Sequence, residues 1–449
     1  MRLTLLSCFC LVSGVLAAQT LQSPAGSTYH EFSVQQAVDY SAKNNVQVKN
    51  ALLDVQVQQQ KNKVITAGAL PSLAGSGSFT DYIDIPTTLI PAEFSGGAPG
   101  TFLPVQFGTK YNVNAGLTLQ QVLFDGQVFV GLQARRTSID YYQKNIEITQ
   151  ENIKANIYKV YYQLVVSKTQ MDQIDANIDL LKKLSHDAKL LNQNGFVEKL
   201  EVDKADVQLA NLETEKLKTQ NTIDNGYLGL KLLMGMPVKD SLVLTDKITD
   251  EQISSASLDD GTYQYTDRKE YQGLLLTQKL GEYNIKRYKM SYLPTLSLIG
   301  NYSKAAQRTQ FNFFGKGDWF TTSYFGLNLS VPIFSGFAKD ANVKQAQIEL
   351  KQTENQIENL KLNIDNDVTK ARNDYRTAIS TINFQKRNMQ LAESVYNQTK
   401  KKYDSGLASS TDLTNTQTDM RVAQSNYINA LYNGIIARVD YMKASGQLK

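Results

Sequence analysis

Side chains able to perform catalysis are few in this sequence. Its 449 residues include two histidines, His30 and His186, and two cysteines, Cys8 and Cys10. Two imidazoles are too few for a histidine-based zinc site. His186 directly follows Ser185, and neighbours in sequence do not face each other on a helix, so the two cannot form a nucleophile–base pair. We therefore expect His186 to be an exposed polar residue.

Carboxylates and phosphate-binding motifs give the same result. Asp365 and Asp367 are two positions apart and point away from each other on a helix, so we expect both to be solvated charges. The sequence contains neither a glycine-rich phosphate loop nor a zinc-protease motif. A net charge of +4, with both signs mixed along the chain, gives no electrostatic case for nucleic acid. We therefore expect that the protein is not an enzyme and that it has no cofactor, no metal site and no nucleic-acid partner.

The start of the chain has the features of a secretory signal. Arg2 precedes an apolar run over residues 3–16, and Ala17 and Ala18 form a small-residue cleavage site. About 14 residues are too few to span ~30 Å of hydrocarbon. We predict a signal peptide at 1–18, with a membrane anchor or a lipid anchor as the alternatives. Both cysteines lie inside it, so the mature chain would have no thiols.

Two halves of the chain repeat the same signals in the same order. We predict a first structural repeat at 19–236, an equatorial connecting segment at 237–267 and a second repeat at 268–449. Three pairs of motifs carry the repeat: Leu70-Pro71-Ser72-Leu73 and Leu293-Pro294-Thr295-Leu296, Phe124-Asp125-Gly126 and Phe334-Ser335-Gly336, and Asn194-Gly195-Phe196 and Ser405-Gly406-Leu407.

Heptad spacing predicts a long helical hairpin in each half. Apolar or small residues between 153 and 185 alternate in steps of four and three, and the second half repeats the pattern between 364 and 403. Gly195 and Gly406 each interrupt a long proline-free segment near its middle. A helix from about 126 to 190 would extend roughly 100 Å.

Period-two alternation predicts four strands, at about 70–86, 110–124, 293–305 and 322–334. An apolar face opposite a small polar face is typical of strands between lipid and a watery lumen, although a half-buried sheet alternates in the same way. Four strands cannot close a barrel, which needs ~8, so the strands must close with those of other copies. We expect 83–110 and 304–322 to be outer loops.

The most specific motif is the run Tyr403-Asp404-Ser405-Gly406-Leu407-Ala408-Ser409-Ser410-Thr411-Asp412-Leu413. Together with the repeated order of signals, it resembles the TolC-like outer-membrane efflux proteins, the outer membrane factors. The resemblance implies a mainly α fold with membrane β-strands, built from tandem coiled-coil α-hairpins. It also implies a homotrimer, in which four strands from each copy close a 12-stranded β-barrel above an α-helical tunnel. The implied location is the cell outer membrane, extending into the periplasm.

Partners and sites are also implied by the resemblance. The partners are outer-membrane lipid, a periplasmic membrane-fusion adaptor protein, and an inner-membrane efflux pump or ABC exporter. Asp412 matches a ring of pore-facing aspartates at the periplasmic gate, and Tyr403 keeps the family's aromatic residue. Asn415 stands where the family commonly has a second aspartate, so the ring should be less acidic. Ala408 stands where the family often has a basic residue that tethers the closed state, so we expect no tether through that position. An N-terminal helix charge is the alternative for Asp412.

The two hairpin tips are the implied adaptor-docking points. They consist of Gly195 with Phe196, and of Gly406 with Leu407. Ordinary helix breaks are the alternative interpretation. The function favoured is a passive exit duct for small molecules or drugs in a tripartite efflux system. A duct for type I protein secretion is the second candidate, and a periplasmic coiled-coil scaffold without a pore is the third.

Overall fold

The computed structural model describes residues 28–248, 263–315 and 317–448. The predicted signal at 1–18 lies outside these ranges, as does part of the predicted connecting segment. Three helices are short or of medium length, and the other four form two long antiparallel hairpins. The helices are α1 Val34–Asn44, α2 Val46–Ala67, α3 Gly126–Gln193, α4 Lys199–Met234, α5 Lys269–Met290, α6 Ala338–Asp404 and α7 Ser410–Ala444.

The strands form one larger antiparallel sheet and two small sheets. They are β1 Tyr29–Phe32, β2 Ser72–Asp81, β3 Thr87–Pro91, β4 Phe102–Gln106, β5 Tyr111–Phe124, β6 Ser241–Leu244, β7 Thr295–Arg308 and β8 Phe320–Ser330. The larger sheet has the order β2-β5-β7-β8, β1 pairs with β6 in parallel, and β3 pairs with β4. The four strands of the larger sheet lie in the segments where period-two alternation predicted strands. In this sheet β2 and β8 each have one unpaired edge.

The two faces of the larger sheet differ in polarity. One row across it contains Leu73, Leu119, Gly300 and Phe325, and a row on the opposite face, three positions along the strands, contains Ser76, Gly116, Ser303 and Thr322. Phe325 is 79% exposed although it lies in the middle of a strand. At this row the apolar face is therefore not covered by another part of the described chain, which the lipid-facing interpretation requires.

The segment predicted as the outer loop 83–110 contains a β-hairpin that the sequence did not predict. Pro91 pairs with Phe102, and Leu89 with Pro104. Prolines argued for a loop, but both strands of an isolated ribbon are edge strands, where proline is tolerated. The second loop is shorter than the predicted 304–322, because β7 continues to Arg308 and β8 begins at Phe320.

The heptad rows are buried, as predicted. All but one of the predicted residues between 153 and 185 are buried, and the exception, Val160, is half-buried. In α6, Ile364 and Tyr375 are fully enclosed and Val368 is 1% exposed. The 68 residues of α3 extend about 100 Å. Within the described ranges, no helix is both long enough and apolar enough to span a membrane.

A buried tyrosine ties the small β1–β6 sheet to α3. The side chain of Tyr161 is fully buried, its hydroxyl donates to the carbonyl oxygen of Phe32 at 2.8 Å, and it accepts from the amide of Asp246 at 3.1 Å. Burial raises the pKa of Tyr161 to about 12, so the hydroxyl keeps its proton. The heptad pattern gave no sign of these partners, because they are more than 80 residues away in sequence.

Candidate functional site at the hairpin tips

The two hairpin tips have the same backbone structure. At the first, the amide of Gly195 bonds to the Asn192 carbonyl at 3.0 Å, and that of Phe196 bonds to the Leu191 carbonyl at 2.8 Å. At the second, the amide of Gly406 bonds to the Tyr403 carbonyl at 2.9 Å, and that of Leu407 bonds to the Lys402 carbonyl at 2.8 Å. A helix that ends in this way satisfies its last carbonyls through a left-handed residue.

Glycine is required at both tips by the backbone angle and not by lack of space. Gly195 has φ +78° and Gly406 has φ +75°, and a Cβ atom at either would meet nothing within 4 Å. Non-glycine residues adopt such angles only at a cost. The following residues project into solvent, with Phe196 76% and Leu407 80% exposed. Each tip therefore presents one large apolar side chain on a fixed turn.

Asp412 caps the start of α7. Its backbone amide donates to Ser409 Oγ at 3.1 Å, while its Oδ2 accepts from the Ser409 amide at 3.1 Å and from Ser409 Oγ at 2.8 Å. These bonds, first that of the hydroxyl and then that of the amide, lower the pKa of Asp412. Within one chain the carboxylate is therefore a capping-box partner. The pore-facing role of Asp412 concerns several copies and stays a prediction.

Tyr403 and Asn415 lie together, and Asp412 lies apart from them. A cavity of about 110 Å³ between the two hairpins is lined by Tyr403, Asn415 and Leu413 from the second hairpin and by Leu181 and Val197 from the first. Asp412 does not line it. The three gate candidates thus fall into two groups. Tyr403 and Asn415 line the cavity at the seam between the hairpins, whereas Asp412 is an exposed capping residue.

The seam above this cavity is polar. Buried Gln417 donates from Nε2 to Asn177 Oδ1 at 3.2 Å, joining α7 to α3. Gln417 Oε1 is also buried, and it has no hydrogen-bond partner among the residues that the structure describes. Arg421 Nη1 binds Glu215 Oε2 at 2.7 Å one turn further along. The sequence did not reveal these contacts, because each joins residues more than 200 positions apart.

Asp365 is not the solvated charge that we expected. Its Oδ1 accepts from Tyr263 Oη at 2.6 Å and its Oδ2 from Tyr265 Oη at 3.2 Å. The bond to Asp365 raises the pKa of Tyr263 to about 12. The spacing argument considered only contacts within one helix, whereas both partners come from the segment before α5. The side chain of Asp367 is 52% exposed, and its Oδ2 lies 3.9 Å from Arg268 Nη1, a partner that the spacing argument also did not reveal.

The two histidines do not form a site. His186 is exposed, as predicted. His30 lies with Nε2 3.6 Å from Asp240 Oδ2 and packs against the rings of Phe32 and Tyr40. Nowhere in the described part of the chain do three His, Cys, Asp or Glu side chains gather as metal ligands would.

Known proteins that resemble this chain are outer-membrane efflux and secretion proteins. Residues 275–447 match the family model described as outer membrane efflux protein. The chain is 19% identical to outer membrane protein TolC of Vibrio cholerae, over 75% of this chain and 77% of that protein. It is 21% identical to the proteases secretion protein PrtF of Dickeya chrysanthemi, over 75% of this chain and 71% of that one. The resemblance to the TolC-like outer-membrane efflux family is confirmed.

The fold agrees with that of a solved relative. The CusC crystal structure superimposes with a TM-score of 0.74 at 16% identity, over 95% of both chains. The mainly helical, TolC-like fold with strands is thus confirmed, while the trimer and the 12-stranded barrel stay predictions. The protein is an outer-membrane protein that extends into the periplasm. Its relatives are channel proteins and not enzymes.

Proposed function

We propose that this chain is the outer-membrane channel of a tripartite efflux system, a passive exit duct for small molecules or drugs. One observation carries the proposal most directly. Strand β5 ends at Phe124 and α3 begins at Gly126, so an apolar-faced strand continues almost without a loop into a helix of 68 residues. Asp125 makes the junction, and its side chain accepts from the amide of Gln127 at 2.8 Å. Such a chain joins a barrel wall to a tube wall.

Closure of the wall requires further copies. The unpaired edges of β2 and β8 would leave backbone groups without partners in lipid, at a cost of several kcal/mol each. Pairing β2 of one copy with β8 of the next removes both edges. Three copies give a 12-stranded barrel, an even number in the range found for outer-membrane barrels. Two or four copies would also give an even number of strands, so the copy number comes from the resemblance to the TolC-like family, which implies a homotrimer, and that is the assembly that we propose.

The driving energy would come from partners. We propose that Phe196 and Leu407, on their fixed turns, dock a periplasmic membrane-fusion adaptor that connects the tube to an inner-membrane pump. Exposed apolar side chains at the end of a long hairpin are anchors of the kind that interfaces use. No adaptor or pump residue is needed to hold the tips in shape, because the turn bonds are internal.

We further propose that Asp412 belongs to the periplasmic gate. Three copies would bring three carboxylates together, and mutual repulsion would raise their pKa, against the lowering that the cap produces in one chain. Asp412→Asn should reduce cation selectivity in planar-bilayer recordings, and Asn415→Asp should increase it. Unchanged selectivity in both variants would leave Asp412 with its capping role alone.

Efflux is tested in cells that lack the gene. We expect them to accumulate a fluorescent dye such as ethidium, and we expect the intact gene to restore its export. The control is the Phe196→Ser/Leu407→Ser variant, which should reach the membrane in normal amount without restoring export. Normal dye export in the deletion strain would contradict the efflux proposal.

Protein secretion is the second candidate, because PrtF is a relative named for the secretion of proteases. In that case the deletion strain would export dye normally and lose one or more proteins from the culture medium. A scaffold without a pore would not need the exposed apolar face of the sheet, where Leu327 is 68% and Leu329 61% exposed. Zero conductance of the purified protein in planar bilayers would favour the scaffold.

A further inference from the structure

Lys304 occupies an unusual place on the apolar face of the sheet. It lies on β7, a central strand, with Ala115 beside it on β5 and Thr321 beside it on β8, and Gly77 follows beyond Ala115. The side chain is exposed and makes no ion pair with the rest of the described chain. Its neighbours in the row are all small, so their short side chains form a low strip of the face beside the lysine.

The depth of Lys304 in the proposed barrel can be worked out from the register. Eight residues separate it from Leu296, which is about 27 Å along the strand, or roughly 20 Å along the barrel axis at a tilt near 40°. Near the Leu296 end, Phe334 and Phe337 pack with ring centres 5.6 Å apart and are both exposed. The apolar band of such barrels is about 25 Å tall between aromatic girdles. Lys304 therefore lies at the rim remote from the helices, which is the outer-leaflet side.

An aromatic cluster lies directly beyond Lys304 on the same face. We call Phe79, Tyr111, Phe311 and Phe313 the aromatic shelf. Phe311 packs edge-on against Phe79 at 5.7 Å and Tyr111 at 6.0 Å, and Phe313 packs against Phe79 at 6.1 Å. The shelf covers Ala306, which is fully buried one row above Lys304. Amphipathic and aromatic rings of this kind concentrate at the headgroup level of membranes.

A second cation is built into the shelf. Arg308 is only 8% exposed, donates from Nη1 to Asn312 Oδ1 at 2.9 Å and lies over the ring of Phe313 at 5.3 Å. Its Nη2 is buried and has no hydrogen-bond partner within the described ranges. The strand carboxylate in its row is Asp81, two strands away, at roughly 10 Å. The rim thus carries positive charge that no carboxylate of the described residues pairs with.

We propose that Lys304 and the aromatic shelf bind the phosphorylated headgroup of an outer-leaflet lipid. The ammonium group would reach the headgroup level and pair with phosphate, while an acyl chain would lie along the low strip at Gly77 and Ala115. Arg308 holds the shelf in place and adds to the positive potential. The site depends on the proposed function only in that the apolar face meets lipid. It does not depend on the number of copies, because both strands beside β7 belong to the same chain.

The test measures lipid binding by native mass spectrometry of the purified protein in detergent. The probes are bisphosphorylated lipid A, the same lipid without phosphates, and inorganic phosphate. We expect Lys304→Met to bind the bisphosphorylated lipid about five-fold more weakly, from the loss of one basic group at a membrane surface. Lys304→Arg should retain binding. Lys351→Met, which removes an exposed lysine of α6 far from the sheet, should have no effect.

Three results would overturn the proposal: equal binding by Lys304→Met, equally tight binding of the dephosphorylated lipid by the intact protein, or competition by inorganic phosphate at millimolar concentration. The second would show apolar contact alone, and the third a free-anion site. Oligomer mass and bilayer conductance are recorded on the same preparations. Failure of those two readouts, with lipid selectivity retained, would contradict the proposed duct and not the lipid site.

Discussion

The buried amide pair between α3 and α7 allows a prediction about the rate of unfolding. Replacing one amide of the pair should speed unfolding, whereas replacing both should not. Gln417 is 5% and Asn177 8% exposed, and they share one hydrogen bond of 3.2 Å. Asn177→Leu keeps the number of side-chain heavy atoms and removes the partner of Gln417. The amide of Gln417 is then buried with both polar atoms unpaired. Gln417→Met combined with Asn177→Leu removes the whole polar pair.

The magnitude follows from the cost of a buried unpaired group, about 1–3 kcal/mol. If the free-energy barrier to unfolding falls by that whole amount, the single variant unfolds about 5- to 150-fold faster than the intact protein. The double variant leaves neither amide, and the intact protein already carries Gln417 Oε1 without a partner among the described residues. The double variant should therefore unfold no faster than the intact protein, and we expect it to unfold more slowly.

The assay is the rate of irreversible thermal unfolding in detergent, followed by helical circular dichroism at one fixed temperature. Rates are the right measure because membrane-protein unfolding of this kind is seldom reversible. A double variant that unfolds faster than the intact protein would refute the reasoning. It would mean that water in the adjoining cavity, about 170 Å³ in volume, satisfies Gln417 in the intact protein.

Three more predictions concern the exposed tip side chains, the capping residue Asp412, and Tyr161, whose hydroxyl joins the small β1–β6 sheet to α3. Phe196→Ser with Leu407→Ser should abolish dye export while leaving the thermal unfolding rate unchanged, because both side chains are exposed; a parallel loss of stability would contradict docking. The lowered pKa of Asp412 means that its bonds to Ser409 stabilise the start of α7 above the ordinary carboxyl pKa of 3.8 and are lost as the pH falls through the lower, folded value. Hydrogen exchange in that first turn should rise in this acid range relative to Asp412→Asn, and equal profiles would contradict the cap. Tyr161→Phe removes the acceptor of the Asp246 amide and one of the two donors to the Phe32 carbonyl, which keeps its bond from the Thr245 amide. It should destabilise the protein by about 1–3 kcal/mol, seen as faster thermal unfolding, and an unchanged rate would contradict the role of Tyr161 in joining the small sheet to α3.

Periodicity was sufficient to predict the long elements. Heptad rows predicted α3 and α6, and alternation predicted the four strands of the larger sheet, because both patterns repeat over many residues. The β3–β4 hairpin was missed because Pro91 and Pro104 outweighed five-residue strands that are too short for a clear period.

Contacts between distant residues could not be predicted in the same way. The bonds of Asp365 to Tyr263 and Tyr265 join positions about 100 residues apart, and no spacing within a helix reveals them. The cap at Asp412 is different, since Ser409 three residues earlier is a capping-box signal that the sequence already shows. The roles of Asp412 as a gate and of the tips in docking need other copies and partners, so they stay predictions.

Disulfide cross-linking between the two sheet edges tests the central claim most directly. Ser76 on β2 and Thr322 on β8 lie in one row with two strands between them, about 14 Å apart and too far for a disulfide within one chain. The sequence has no cysteine after Cys10, so Ser76→Cys with a second cysteine walked through Thr322, Tyr324 and Gly326 gives an unambiguous result. We predict covalent dimers and trimers in the outer-membrane fraction for at least one position of the walk. Monomers alone at every position, in protein recovered from the outer membrane, would contradict the closed barrel of several copies.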